Sequence, residues 1–217
     1  EESIYGTSIA QGQKRILEAF GAKVVGVGSH SSRSIDLNDT VLRAKQADPD
    51  VVIQTGYVPD GNLLLRTMRD QGFKPAAILF VGTGDTPETL EALGSYMEGV
   101  LVTGYPRNDI SEKFGPGNQA YLKAYQAKYN DYPRLGSIVG YQTIKAAAAI
   151  LIKANSTDVE KLIAATEGLS MGSPFGDITF RKIDHQSTLG AFVGKTALKD
   201  GKGIMVDTAY KKGADFL

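Results

Sequence analysis

The chain has 217 residues, 42% of them hydrophobic and 22% charged, which is enough for one large domain or two small ones around a real core. Lys+Arg and Asp+Glu balance at 24 each, so no net field draws the chain to nucleic acid or to an anionic membrane surface. With no cysteine, disulfides, thiolate metal sites and cysteine nucleophiles are excluded, and no uninterrupted apolar run approaches the ~20 residues that span a bilayer.

In chain order, Ile9, Ile16, Leu17 and Phe20 recur at helical spacing, and Gly21 follows where a helix end favours a left-handed residue. Lys23-Val-Val-Gly-Val27 has the β-branched content of a strand. Asp36 is placed to cap a helix carrying Leu37, Val41, Leu42 and Ala44. Asp48-Pro-Asp50 ends that helix, and Val51-Val-Ile53 is a buried strand. Pro59-Asp60 opens a helix with Leu63, Leu64 and Met68 inward, closed by Gly72. Ala76 to Val81 is a strand, Thr86-Pro87-Glu88 starts a helix, and Gly99 to Thr103 is the next strand. This alternation predicts an α/β fold with a doubly wound, mostly parallel sheet.

The second half has a different grain. Ser111 to Tyr129 is helical with an interruption near Gly115-Pro-Gly117, and Tyr121, Tyr125 and Tyr129 recur every four residues as a packing stripe. Tyr141 to Ala154 is an Ala-rich helix, Asp158 caps another to about Thr166, and the tail carries β segments at 177–180, 191–194 and 203–206.

Ligands of open α/β sheets bind outside the carboxyl ends of the strands, where helix N-termini and free backbone amides collect. The segments that follow the strands are therefore the candidate site. They carry Tyr57 in Thr55-Gly-Tyr-Val-Pro-Asp60, Thr83, Gly84 and Asp85 in the next loop, and Tyr105 after the third strand. Tyr5 opens the first helix on the same edge. Tyrosines, glycines and one acid on one rim suit a small polar ligand held by aromatic walls and backbone amides. Each also has a plainer reading: Tyr57 and Tyr105 as loop tyrosines, Gly82-Thr-Gly84 as a turn, Asp85 as a helper in capping at Thr86. Catalytic patterns are scarce. His30 and His185 lack metal-ligand spacing, and there is no Gly-x-Ser-x-Gly elbow or Ser-x-x-Lys. The expectation is a binding protein that is not an enzyme and needs no cofactor or metal.

Several ordered motifs carry a resemblance. Tyr5-Gly6, Asp48-Pro-Asp50-Val-Val, Gly56-Tyr57-x-Pro-Asp60, Leu65-Arg-x-x-Arg-x-x-Gly72, Glu98-Gly99-Val, Phe114 through Tyr129, Gly140-Tyr141 and Gly176-Asp-Ile-Thr-Phe180 resemble the second lobe of the Leu/Ile/Val-binding family of periplasmic solute-binding proteins. The resemblance implies two α/β lobes joined by three crossing segments, of the periplasmic-binding-protein type I. Such lobes close on a small organic solute and deliver it to the membrane permease of an ABC importer, in a periplasmic or extracellular setting with lipid anchoring as one form.

It further implies that 1–112 and 189–217 form the second lobe, that 113–188 hold hinge crossings and a remnant of the first, and that hinges lie near 105–113 and 182–190. Gly84 falls where amino-acid binders place an acid, with Asp85 one residue later, so branched-chain amino acids, amides and aromatic acids all stay open as ligands. No segment matches the N-terminal part with which the first lobe of the family begins, roughly a hundred or more residues, nor the strand that should precede Tyr5 between 23–27 and 51–53. The lobe is therefore expected to be incomplete, its gap filled by a missing N-terminal segment or by a swapped second copy. A ligand-sensing regulatory domain of the same fold is the alternative function, and an α/β enzyme a third.

Overall fold

A computed structural model describes residues 1–55, 58–81, 93–105 and 116–216. The chain divides into two compact units, Glu1–Gly104 with Gly194–Val206, and Tyr105–Val193 with Asp207–Leu217. It therefore passes between units three times, at 104/105, 193/194 and 206/207.

The first unit starts with helix α1 (Ile4–Ala19) and helix α2 (Asn38–Gln46). Strand β1 (Val51–Gln54), helix α3 (Val58–Asp70), strand β2 (Ala77–Phe80) and strand β3 (Leu101–Gly104) follow. The three strands pair in parallel, Val51 to Gln54 against Ala77 to Phe80, then Leu79 and Phe80 against Leu101 and Val102. This is the predicted α/β alternation, and the mostly parallel sheet continues into strands β6 (Ala191–Lys199) and β7 (Lys202–Lys211) in the order β1-β2-β3-β6-β7. The core gathers Val41 from α2, Leu65 and Met68 from α3, Phe80, Val102 and Met97, all 2% exposed or less. Buried Thr196 ties β6 to this core: its hydroxyl donates to the Met97 carbonyl and accepts the Val100 N–H at 3.1 Å.

Local chemistry explains most boundaries. The Ser3 hydroxyl caps α1 by accepting the Gly6 N–H at 3.0 Å, and Gly21 sits at φ +82° just past its end. Asp36 accepts the Asn38 N–H at 2.8 Å at the head of α2, and Gly72 at φ +61° follows α3.

Three expectations are corrected. Lys23 to Val27 is not a strand: no described neighbour offers it a ladder, and Val25 and Val27 lie 46% and 59% exposed. Ile16 of α1 and Phe20 at its C-terminal end, the residues whose helical spacing marked an apolar stripe, are 59% and 87% exposed, and Gly6 is the buried residue of that helix. The Ala-rich helix begins at Leu135 rather than Tyr141. The expected helix start at 86–88 and the interruption near 115 lie outside or at the border of the described residues.

The second unit contains helices α4 (Pro116–Tyr129), α5 (Leu135–Ala154) and α6 (Val159–Thr166), then an antiparallel pair, β4 (Ser170–Ser173) with β5 (Gly176–Thr179). Asn155 in the left-handed conformation ends α5, and the Asp158 carboxylate caps α6 through the Lys161 N–H at 3.1 Å. The tyrosine stripe of α4 packs on itself and on α5, with ring centroids 4.6 Å apart for Tyr125–Tyr129 and 4.4 Å for Tyr121–Tyr141. Burial raises the pKa of the Tyr121 hydroxyl, and the neighbouring tyrosines add to the shift. Among the described residues α5 alone is long and apolar enough to cross a membrane, by length and composition only, with Gln142, Lys145 and Lys153 interrupting its apolar run. Its Ile144 and Ile152 are 72% and 79% exposed.

Candidate functional site

Parallel pairing decides where the candidate loops begin. Gln54 is opposite Phe80, and Phe80 is opposite Val102, so β1, β2 and β3 all finish on one edge of the first unit. Thr55 and Val81 leave the sheet side by side, the Val81 N–H still donating to the Gln54 carbonyl at 3.2 Å. Helix α3 starts at Val58, directly beyond β1, so the positive end of its dipole faces the same edge. Tyr57, Thr83, Gly84 and Asp85 lie outside the described residues; the strands that lead into their loops are the described part of this rim.

Tyr5 stands in the first turn of α1, 39% exposed. A short polar chain connects this helix start with that of α3. The Glu2 N–H donates to the His30 carbonyl at 2.8 Å, and the Glu2 carboxylate accepts the Ser29 hydroxyl at 3.0 Å. Three residues past His30, the Arg33 N–H donates at 3.3 Å to the Asp60 carboxylate in the first turn of α3. Asp60 is 4% exposed, so this acid anchors the 29–33 segment against α3 from a buried position. The two helix N-termini thus share one polar seam, which the spacing of the sequence did not reveal, because residues 30 and 60 meet only in the fold.

A second residue was missed. Gln54, the last of β1, is 4% exposed, and its Oε1 meets no hydrogen-bond partner among the described residues. It lies under Gly61, where an added Cβ would come within 2.8 Å of Nε2. This places a buried amide beneath the start of α3, at the end of the sheet where the candidate loops begin.

Tyr105 belongs to the second unit. It is 8% exposed, stacks on Phe175 at 5.2 Å between centroids and meets Phe192 edge-on at 6.4 Å. Its hydroxyl donates to the Gly190 carbonyl at 2.6 Å. Of the sequence-derived candidates, then, Tyr5 is on an exposed helix start of one unit and Tyr105 is packed within the other.

His185 sits at φ +57° in a turn where Arg181 and Asp184 are hydrogen-bonded, and its Nε2 is 3.7 Å from the Glu167 carboxylate. The Arg181 hydrogen bond holds the Asp184 carboxyl below its ordinary pKa. Among the described residues no group of three His, Asp or Glu side chains could hold a metal ion. Clefts among the described residues lie elsewhere. One of about 470 Å³ is lined by Lys45, Asp48, Asp50 and Lys74 at the opposite, amino-terminal edge of β1 and β2. Another, about 440 Å³, is an apolar groove between α5 and α6 lined by Leu151, Val159 and Ile163.

Comparison with known proteins agrees with this architecture. The profile of a family described as periplasmic binding protein matches residues 1–202. A Leu/Ile/Val-binding protein homolog 8 of Brucella abortus is 32% identical over 174 residues, 79% of this chain and 43% of that protein. Its homolog 7 from the same organism is 32% identical over 161 residues, 73% of this chain and 40% of the relative. The chain thus spans less than half the length of these relatives. Among solved structures, a leucine-, isoleucine-, valine-, threonine- and alanine-binding protein from Brucella ovis superposes with a TM-score of 0.84 at 20% identity, covering 100% of this chain and 57% of that one. A solute-binding protein from R. palustris in complex with 4-hydroxybenzoate gives 0.81 at 22% identity, covering 100% and 60%.

Proposed function

Because the chain belongs to the periplasmic binding protein family, we propose that it is part of an extracytoplasmic protein that captures a small organic solute for an ABC importer without chemical turnover. The observation that carries this reading is the shared edge of the first unit. There β1 and β2 end together, α3 begins, and α1 begins within reach of the same polar seam. Helix N-termini and strand ends facing one way make a site for a polar or anionic group.

Tyr5, Tyr57, Thr83, Gly84 and Asp85 contact the solute in this proposal, with Tyr105 contributing through its position rather than its hydroxyl, which is already hydrogen-bonded. The solute is a branched-chain amino acid, an amide or an aromatic acid. The Brucella ovis protein, which binds leucine, isoleucine and valine among others, and the R. palustris complex with 4-hydroxybenzoate support the first and the last of these. The partner is a membrane permease, and the location is periplasmic or extracellular, with lipid anchoring as one form. A thermal-shift screen of the full-length protein against amino acids, amides and aromatic acids tests this. One class should raise Tm by several degrees at millimolar concentration; no response from any class would overturn the reading.

A second element belongs to the same proposal. Val51 in the edge strand β1 is 49% exposed, and Ile16, Phe20, Val25 and Val27 of the same unit are exposed as well. A strand from an N-terminal segment, or from a swapped second copy, pairs along β1 and covers them. Native mass spectrometry of this 217-residue chain discriminates: a stable, folded monomer on its own sinks this element.

A further inference from the structure

All three passages between the units are marked by aromatic residues of the second unit. Tyr105 follows the first passage directly, Phe192 precedes the second by one residue, and Tyr210 lies three residues past the third boundary. With Phe175 from the β4–β5 turn they form one cluster. Tyr105 stacks on Phe175 at 5.2 Å and 9°, Phe175 meets Phe192 at 5.4 Å, and Phe192 meets Tyr210 at 5.0 Å. Aromatic pairs at these spacings attract one another beyond the burial of their area.

Two hydrogen bonds converge on one residue inside this cluster. The Tyr105 hydroxyl donates to the Gly190 carbonyl at 2.6 Å, and the Gly190 N–H donates to the Tyr210 hydroxyl at 3.0 Å. Gly190 is buried, and a Cβ there would lie 1.9 Å from the Lys211 carbonyl oxygen. A second close approach follows, since a Cβ on Gly213 would come within 2.8 Å of the Thr188 carbonyl. The backbones at 188–190 and 211–213 therefore touch with no side chain between them. Burial raises the pKa of the Tyr210 hydroxyl and the Gly190 N–H draws it back, as expected of a phenol whose oxygen accepts inside the cluster.

We propose that Gly190 is the node of a clamp, in which Tyr105 and Tyr210 grip its carbonyl and its amide and so bind the three passages between the units into one strap that moves as a single body. Tyr105 and Tyr210 are positioning residues here. The purpose of the strap rests on the solute-capture reading, in which lobes must close repeatably, but its existence does not. Because each hydroxyl meets a different polar group of the same residue, loss of either one loosens the strand that both share.

Hydrogen exchange followed by mass spectrometry on the full-length protein, without any solute, tests the clamp. Gly190→Ala is the obvious variant, but its Cβ would collide with the Lys211 carbonyl and disturb folding itself. Tyr105→Phe and Tyr210→Phe keep both rings and delete only the hydroxyls. Each should speed exchange about tenfold in peptides covering 188–193, and also in the peptide that carries the other tyrosine, leaving β1 and β2 unchanged. Acceleration confined to the substituted strand, or none, would overturn the clamp. The solute screen would be untouched by that result, just as a failed screen would leave the exchange pattern standing.

Discussion

Helices α1 and α3 were equally legible as amphipathic helices, and both form, but their apolar sides meet different fates. Leu65 and Met68 of α3 are 0% and 1% exposed against Val41, Phe80 and Val102, whereas Ile16 and Phe20 of α1 face outward from a helix whose buried residue is a glycine. The same contrast separates α3 from α5, whose Ile144 and Ile152 are exposed. Hydrophobic periodicity reports that a helix has a face meant for burial. Whether the face is buried depends on a partner surface, which for α3 is the sheet at β1 and β2 and for α1 is absent among the described residues.

The largest expected break of this contrast is Leu65→Ala, which should cost about 2–5 kcal/mol in urea unfolding, because a fully buried side chain leaves a cavity in a packed core. The matching change on α1, Phe20→Ala, should cost no more than about 0.5 kcal/mol in the 217-residue chain. In the full-length protein the same substitution becomes the sharper test: a cost of several kcal/mol there would show that α1 is covered, and equal small costs in both would show that it is not.

The smallest effect concerns polar surface rather than apolar faces. Asp184 is held below its ordinary pKa chiefly by the hydrogen bond from Arg181. A lowered folded-state pKa contributes stability above the unfolded value near 3.8 and loses it as pH falls through the folded value. Wild type should therefore exceed Asp184→Asn slightly at neutral pH, with the two melting curves converging below about pH 4. A gap that widened in acid would contradict the assignment.

How much was legible varies by element for physical reasons. Strands β1, β2 and β3 came within two residues of their observed limits, because short β-branched runs between capping signals are local information. The caps at Asp158 and the left-handed Gly21 and Gly72 were local too. Lys23 to Val27 failed because strand formation needs a neighbour, and propensity alone supplies none. The β6–β7 hairpin is far longer than the two short segments expected, though its signal was present: Asp200-Gly201, with φ of +52° and +74°, is the dipeptide favoured in two-residue hairpin turns. At the candidate site, the shared strand edge followed from the α/β alternation. The Arg33–Asp60 seam and the ring cluster around Tyr105 join residues 17 to 87 positions apart, and nothing local in the sequence announces such pairs.

Three is an odd number of passages between units, and parity has a practical consequence. A chain that changes sides an odd number of times leaves its early residues on one side and its late ones on the other. Ser29, exposed in the first unit, and Lys212, exposed in the second, accordingly sit on opposite sides of every passage. Since the sequence has no native cysteine, Ser29→Cys and Lys212→Cys would give a uniquely labelled pair. A donor and acceptor dye at those positions would register motion between the units as a change in energy transfer, with no background thiol to block.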